Sequence, residues 1–187
     1  MTGEPGPGLL AWLRSAGAPV SPGITEEDCL RLSSSPPESA FERRPSTRCI
    51  VVHHSATRDG SVRHFRVMHR AVSGWTDVGY HYVIGNGILA GDGLVEKGRP
   101  EWAVGAHARG SNTESIGICL VGDFSGSLPS APQAASLARL LSRLMEEHSV
   151  PKDCVLLHRE VPGCVTECPG ALFTRGFLEG TVLAGFA

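Results

Sequence analysis

Two runs of this chain are apolar on both faces of an extended strand: Cys49-Ile-Val-Val-His-His54 and Ser115-Ile-Gly-Ile-Cys-Leu-Val-Gly122. Successive strand residues point to opposite sides, so a strand apolar at nearly every position must be covered from above and below. Both runs therefore belong inside a sheet. The segments around them supply the covers. Ser61–Val72 carries Val62, Phe65, Met68 and Val72 at near-helical spacing. Gly79–Ile84 reads as a strand, followed by the turn signals Asn86-Gly87 and Gly91-Asp92-Gly93 and a hairpin partner over Leu94–Lys97. Ser130 and Gln133 form a capping box ahead of Leu137, Leu140, Leu141 and Leu144, which mark an amphipathic helix. A strand over Val155–His158 and a closing helix over Ala171–Leu183 complete the order β-α-β-β-β-α-β-α. The expected fold is α/β, a central mixed β-sheet flanked by helices.

The first 47 residues differ from the rest. Seven prolines interrupt them, and Ser33-Ser34-Ser35-Pro36-Pro37 reads as a linker. Short helices are expected around Leu9–Ser15 and Thr25–Leu32, the second capped by Thr25 with Asp28 three residues on. We divide the chain into an N-terminal extension, 1–47, and a domain, 48–187; the extension reads either as a clip on the domain or a loose leader, or as a binding appendage. Seventeen basic against 19 acidic residues leave no basic face for a nucleic-acid partner. No apolar run approaches the length of a membrane span. The N-terminus has an acidic residue where a secretion signal carries basic ones, so cytoplasmic synthesis is expected, with any action on an outer surface requiring release by another route. On that basis the six cysteines read as reduced thiols or metal ligands rather than a disulfide framework.

Three segments far apart in sequence end in metal-type ligands: His53-His54, His158 and Cys168-Pro169-Gly170. Imidazole and thiolate are donors zinc prefers, and three protein ligands with one open position describe a catalytic site. Strand alternation lets only one of His53 and His54 join it. Taken singly, each residue reads as well as a satisfied strand-end histidine or an inert buried thiol.

The segments VVHHSAT (51–57), GWTDVGYHYVI (74–84), VEKGR (95–99), VGAHARGSNTESIGICLVGDF (104–124) and HREVPGCVTECPG (158–170) resemble, in order and spacing, the zinc-dependent N-acetylmuramoyl-L-alanine amidases of the type-2 group, which includes the peptidoglycan recognition proteins. The likeness covers about residues 48–180 and is closest to the phage lysozyme-type branch. It implies an amidase/peptidoglycan recognition protein-like fold, with Zn2+ held by His53, His158 and Cys168. It further implies Tyr80 and Thr166 as catalytic positions, and His107 and Asn112 as lining a peptide groove. Trp75 reads as a groove wall or a core residue, and His107 equally as a packing histidine.

Three departures stand out. Ten positions separate His158 from Cys168, two more than in the phage and animal branches. The hairpin Gly85–Gly93 is longer than usual and expected near the groove. Cys119 stands where the anhydro-muropeptide branch carries a glutamate.

The function this implies is hydrolysis of the amide between the muramoyl lactyl group and L-alanine, on a peptidoglycan or muropeptide substrate, by a monomer. The alternatives are a non-catalytic peptidoglycan binder and a zinc peptidase cutting elsewhere in the stem peptide. Arg58, Arg63, Arg66 and Arg70 read as a solvated helix face or an attraction for an anionic wall polymer, His64 and His69 as surface residues. Cys119 reads as core, and Cys29, Cys49 and Cys154 as packing.

Overall fold

The two doubly apolar runs take the middle of the sheet. In the computed structural model, which describes residues 8–184, β1 (Cys49–His54) pairs in parallel with β4 (Ser115–Leu120), Val51 opposite Gly117 and His53 opposite Cys119. The short strand β5 (Val155–Leu157) flanks β1 in parallel, and β2 (Tyr82–Ile84) flanks β4 in parallel. One edge is closed by β3 (Val95–Lys97), the antiparallel hairpin partner of β2, giving the order β3-β2-β4-β1-β5. The sheet is mixed, as expected. Strand β2 starts three residues later than the alternation predicts. Ahead of it, Gly79 O accepts from Ala106 N–H and Tyr80 O from Arg99 N–H, so this backbone bonds to loops and not to a regular ladder.

Each face of the sheet has its own cover. The helix α4 (Ala131–His148), opened by the Ser130/Gln133 capping box, lays Leu137, Leu140, Leu141 and Leu144 on Ile50, Val52, Ile116, Ile118 and Leu120. Phe173, Leu178 and Leu183 extend that core. The closing helix is shorter than expected: Thr174 caps it, its hydroxyl accepting from Phe177 N–H, so α5 (Arg175–Phe177) starts late and runs into a π-turn over Leu178–Val182. On the other face, α3 (Val62–Val72) packs Val62, Phe65 and Val67 with Val78, Val83, Cys119 and Val121.

Two N-terminal helices complete this second layer. Leu9, Trp12 and Leu13 of α1 (Leu9–Ser15) and Cys29 of α2 (Glu26–Leu32) are buried in the same cluster. The Glu26 carboxylate accepts from the N–H groups of Leu9 and Leu10, both at 2.8 Å, which satisfies two free donors at the start of α1. Trp12 Nε1 donates to Asp59 Oδ1 at 2.6 Å. Arg70 Nη1 donates to the carbonyls of Leu32 (2.9 Å) and Ser34 (3.0 Å), and Arg66 Nη1 to that of Ser33 (3.3 Å). These contacts are those of a clip.

They also correct the reading of α3 as a solvated charged face. Arg66 is only 6% exposed and ion-paired with the buried Asp77. His69, expected at the surface, is 8% exposed, and its Nδ1 accepts from Gly79 N–H at 3.0 Å. Helical periodicity marks the apolar positions of a buried stripe; it has no mark for a polar side chain whose partner lies elsewhere in the chain.

Burial holds two imidazoles neutral. That of His69 is held down to about 4, and that of His81, whose Nδ1 accepts from Gly117 N–H, to about 3. Each folded value lies below the ordinary 6.5, so the unfolded chain binds the extra protons as pH falls. The stabilisation is therefore complete above about pH 6.5 and is lost on acidification. Between about pH 7 and pH 4.5 each buried histidine should cost about 2–3 kcal/mol of stability. Urea denaturation at both pH values tests this; an unchanged midpoint contradicts it.

Candidate active site

His53 lies near the carboxyl end of β1 on the face of Cys49 and Val51 and is almost fully buried. His54 points the other way, its Nδ1 accepting from Phe124 N–H at 3.3 Å. The alternation argument thus holds. His158 opens the turn that follows β5, the neighbour of β1, and Cys168 returns on the loop beyond. One donor atom from each of His53, His158 and Cys168 lies within 4.8 Å of the other two, with Cys168 Sγ 3.8 Å from His53 Nδ1. These residues form a candidate metal site.

The surroundings orient the donors. With Nδ1 of His53 turned to the cluster, its Nε2 carries the proton and donates to His107 Nδ1 at 3.0 Å. His107 Nε2 faces Ser115 Oγ at 3.4 Å, and that hydroxyl donates to Ser111 O at 2.6 Å. The carbonyl oxygen of the Asn112 side chain accepts from the N–H groups of His107 (2.8 Å) and Ala108 (3.0 Å), fixing the loop that carries the ring. Gly117 leaves room for it: a Cβ there would lie 2.5 Å from ring atoms of His107. Burial depresses the basicity of both imidazoles, which keeps them neutral, the form that ligates a cation.

Burial pushes the Cys168 thiol up to about 11, opposed by the His54 N–H, which donates to its Sγ at 3.4 Å, and by Arg159. A thiol in such a position ionises when a cation sits beside it. Arg159 ties down the loop. Its backbone N–H donates to Cys168 O (3.0 Å) and its Nη1 to the carbonyls of Glu167 (3.0 Å) and Gly170 (2.9 Å). Nothing in the sequence beyond its place next to His158 signals this role; the acceptors are backbone groups.

Tyr80 approaches from the sheet, its ring 5.3 Å from that of His53. Burial, and the Cys119 and Cys168 sulfurs, hold its phenol neutral well above pH 10, and its hydroxyl is in hydrogen-bonding reach of Cys119. At neutral pH this group is a donor, not a base. Cys119 is core, as expected, but it is also the floor on which Tyr80 rests. Thr166 Oγ1 accepts from Cys168 N–H at 3.1 Å, so its side chain braces the donor loop.

A groove of about 610 Å³ adjoins the cluster, lined among others by Trp75, His107, Asn112, His158 and Thr166. Trp75 is 39% exposed and forms a wall, so the core reading fails for it; its ring is turned outward because His69 fills the space behind, 4.8 Å away. The hairpin Gly85–Gly93 does not line this groove. It is drawn aside by Asn86 Nδ2 donating to Arg58 O (2.9 Å) and Ser130 Oγ donating to Asp92 (2.6 Å). Cys164 lines the groove as a free thiol, its Sγ 3.6 Å from Arg109 O.

A larger hollow of about 980 Å³ between β3 and α4 contains none of the cluster. Its Glu101 is already paired with Tyr82, Arg143 and His148. Arg143 is also bonded to Glu147, so the Glu101–Glu147–His148 group is joined by hydrogen bonds within the protein.

The N-acetylmuramoyl-L-alanine amidase family profile matches residues 42–171. The chain is 51% identical over 85 residues to the endolysin of Escherichia phage T7, a stretch that spans 44% of this chain and about half, 52%, of that relative. Among solved structures it resembles the endolysin amidase LysCS from Clostridium intestinale (TM-score 0.67, 29% identity, 78% of this chain and 88% of that one). It also resembles a tyrosine-to-phenylalanine mutant of Drosophila PGRP-LB in complex with tracheal cytotoxin (TM-score 0.65, 25% identity, 85% of this chain and 94% of that one).

Proposed function

The chain belongs to the N-acetylmuramoyl-L-alanine amidase family, and from that premise we propose that it hydrolyses the amide joining the muramoyl lactyl group to L-alanine in peptidoglycan or its muropeptides. The observation that carries the proposal is the convergence of the His53, His158 and Cys168 donors within 4.8 Å at one end of a substrate-sized groove. Similarity to the T7 endolysin and to PGRP-LB solved with tracheal cytotoxin supports the same substrate class.

Two imidazole nitrogens and one thiolate are a donor set that fits zinc, with His53, His158 and Cys168 as its ligands. Bound there, zinc supplies Lewis acidity toward the carbonyl and acidifies water. The chain's own groups do the rest. His107 holds His53 in the tautomer that presents Nδ1. The neutral Tyr80 hydroxyl donates to the oxygen on which negative charge develops as the amide carbonyl is attacked. A preorganised donor in that role is worth about 3–4 kcal/mol. The Thr166 hydroxyl, already braced by Cys168 N–H, offers its proton toward the same region. Trp75 and the Asn112–His107 loop flank the groove that receives the stem peptide.

Because the His107 ring packs against Gly117, a methyl group at that position must displace it and free the His53 ring. Gly117→Ala and His107→Ala are each expected to weaken zinc affinity about 10–100-fold. Competition against a chelator measures this, and wild-type affinity in both variants removes His107 from its orienting role.

The function is tested by digesting purified cell wall with zinc-loaded protein and assaying newly freed N-terminal alanine. Mass spectrometry of the products should show an intact muramyl sugar separated from an intact peptide. Cleavage within the peptide identifies a peptidase instead, and wall binding without cleavage a recognition protein.

A further inference from the structure

The cysteines outside the cluster are not scattered. On β1, Cys49 and Val51 share the face of His53; on β5, Leu156 lies opposite Val51, and the two strands run parallel with Ile50 opposite Val155. Cys154 ends the 3-10 turn Lys152–Cys154 that leads directly into β5, so it precedes Val155 as Cys49 precedes Ile50. The paired residues next to the two cysteines, Ile50 and Val155, lie on strands about 4.7–4.9 Å apart, inside the roughly 4.4–6.8 Å window of Cα separations that a disulfide spans. Cys154 packs against the apolar cluster formed by Cys49, Val51, Ala108 and Val161. Both thiols are free, Cys49 buried and Cys154 partly accessible, and they stand at the end of the strand pair opposite His53 and His158.

We propose that Cys49 and Cys154 form a reversible disulfide by exchange with a low-molecular-weight disulfide of the oxidised-glutathione class. The accessible Cys154 gives up its proton and its sulfur attacks the reagent's S–S bond, leaving a mixed disulfide and one glutathione thiol. Cys49 then loses its proton to solvent, its sulfur attacks Cys154 Sγ, and the second glutathione departs and is protonated. Two protein thiols are oxidised and one reagent disulfide is reduced to two thiols. The order follows from the surroundings: burial pushes the Cys49 thiol up to about 11, which makes it a poor first nucleophile. In a reducing compartment the pair stays open. In an oxidising one it ties together the strands that lead to His53 and His158, at the opposite end of those strands.

The zinc-loaded full chain, equilibrated with oxidised and reduced glutathione and then alkylated, tests this by peptide mapping. The expected product links Cys49 to Cys154, with Cys29, Cys119, Cys164 and Cys168 alkylated. Its melting temperature should exceed that of the reduced protein by about 5–10 °C. Cys154→Ala, at the more exposed position, and Cys49→Ala should each abolish the oxidation-dependent shift. A glutathione adduct on Cys154 that never resolves, or a cross-link joining any other pair, overturns the proposal. None of these readouts uses amide hydrolysis, so the result is independent of the function proposed above.

Discussion

With Cys168 replaced by alanine, release of N-terminal alanine from cell wall is expected to fall below about one-thousandth of wild type, a loss of about 4 kcal/mol or more in transition-state stabilisation. The side chain supplies the only anionic donor of the cluster, and without it two neutral imidazoles remain. Metal content after dialysis should drop in parallel. The fold should survive, because Pro169, Gly170 and the Arg159 bonds to the carbonyls of residues 167, 168 and 170 do not depend on the thiol. Circular dichroism together with elemental analysis separates the two effects. Full activity and wild-type zinc content in the folded variant would remove Cys168 from the site.

Tyr80→Phe should act differently. It deletes one hydroxyl that touches no donor of the cluster, so zinc content should stay at the wild-type level. The rate constant kcat should fall about 100–1000-fold, the cost of one missing oxyanion donor, while KM changes little. Because burial keeps the phenol neutral well above pH 10, the variant and the wild type should show the same pH profile through the neutral range. A displaced basic limb would mean that Tyr80 works as a proton acceptor instead.

Much of this arrangement is legible in the sequence, for reasons that can be traced to particular residues. Apolar runs such as Ile50–Val52 and Ile116–Leu120 can only be central strands, and the capping boxes at Thr25 and Ser130 mark helix starts without outside help. The three donors are visible because each closes such a segment. What stays hidden depends on partners remote in the chain. Arg66 and His69 look like surface residues until Asp77 and the Gly79 N–H come into view. The N-terminal extension has no visible destination, since the apolar residues Leu9, Trp12 and Leu13 do not name the cluster they join and the carbonyls at 32–34 are bound by the remote Arg66 and Arg70. The long interval between His158 and Cys168 looks like a threat to the cluster. In the folded chain the added length is spent outward, where Val165 is fully exposed, while Arg159 gathers the two ends.

The placement of the donors also sets a schedule for biosynthesis. His53 leaves the ribosome 115 residues ahead of Cys168, and neighbouring strands β1 and β5 are separated by nearly the same stretch of nascent chain. Amino-terminal parts of a protein emerge and begin to organise first, so β1 can pair with β4 well before β5 emerges to take its other side. No truncated product that stops short of residue 168 can assemble the full donor set, and ion capture is thereby confined to chains whose sheet can already close.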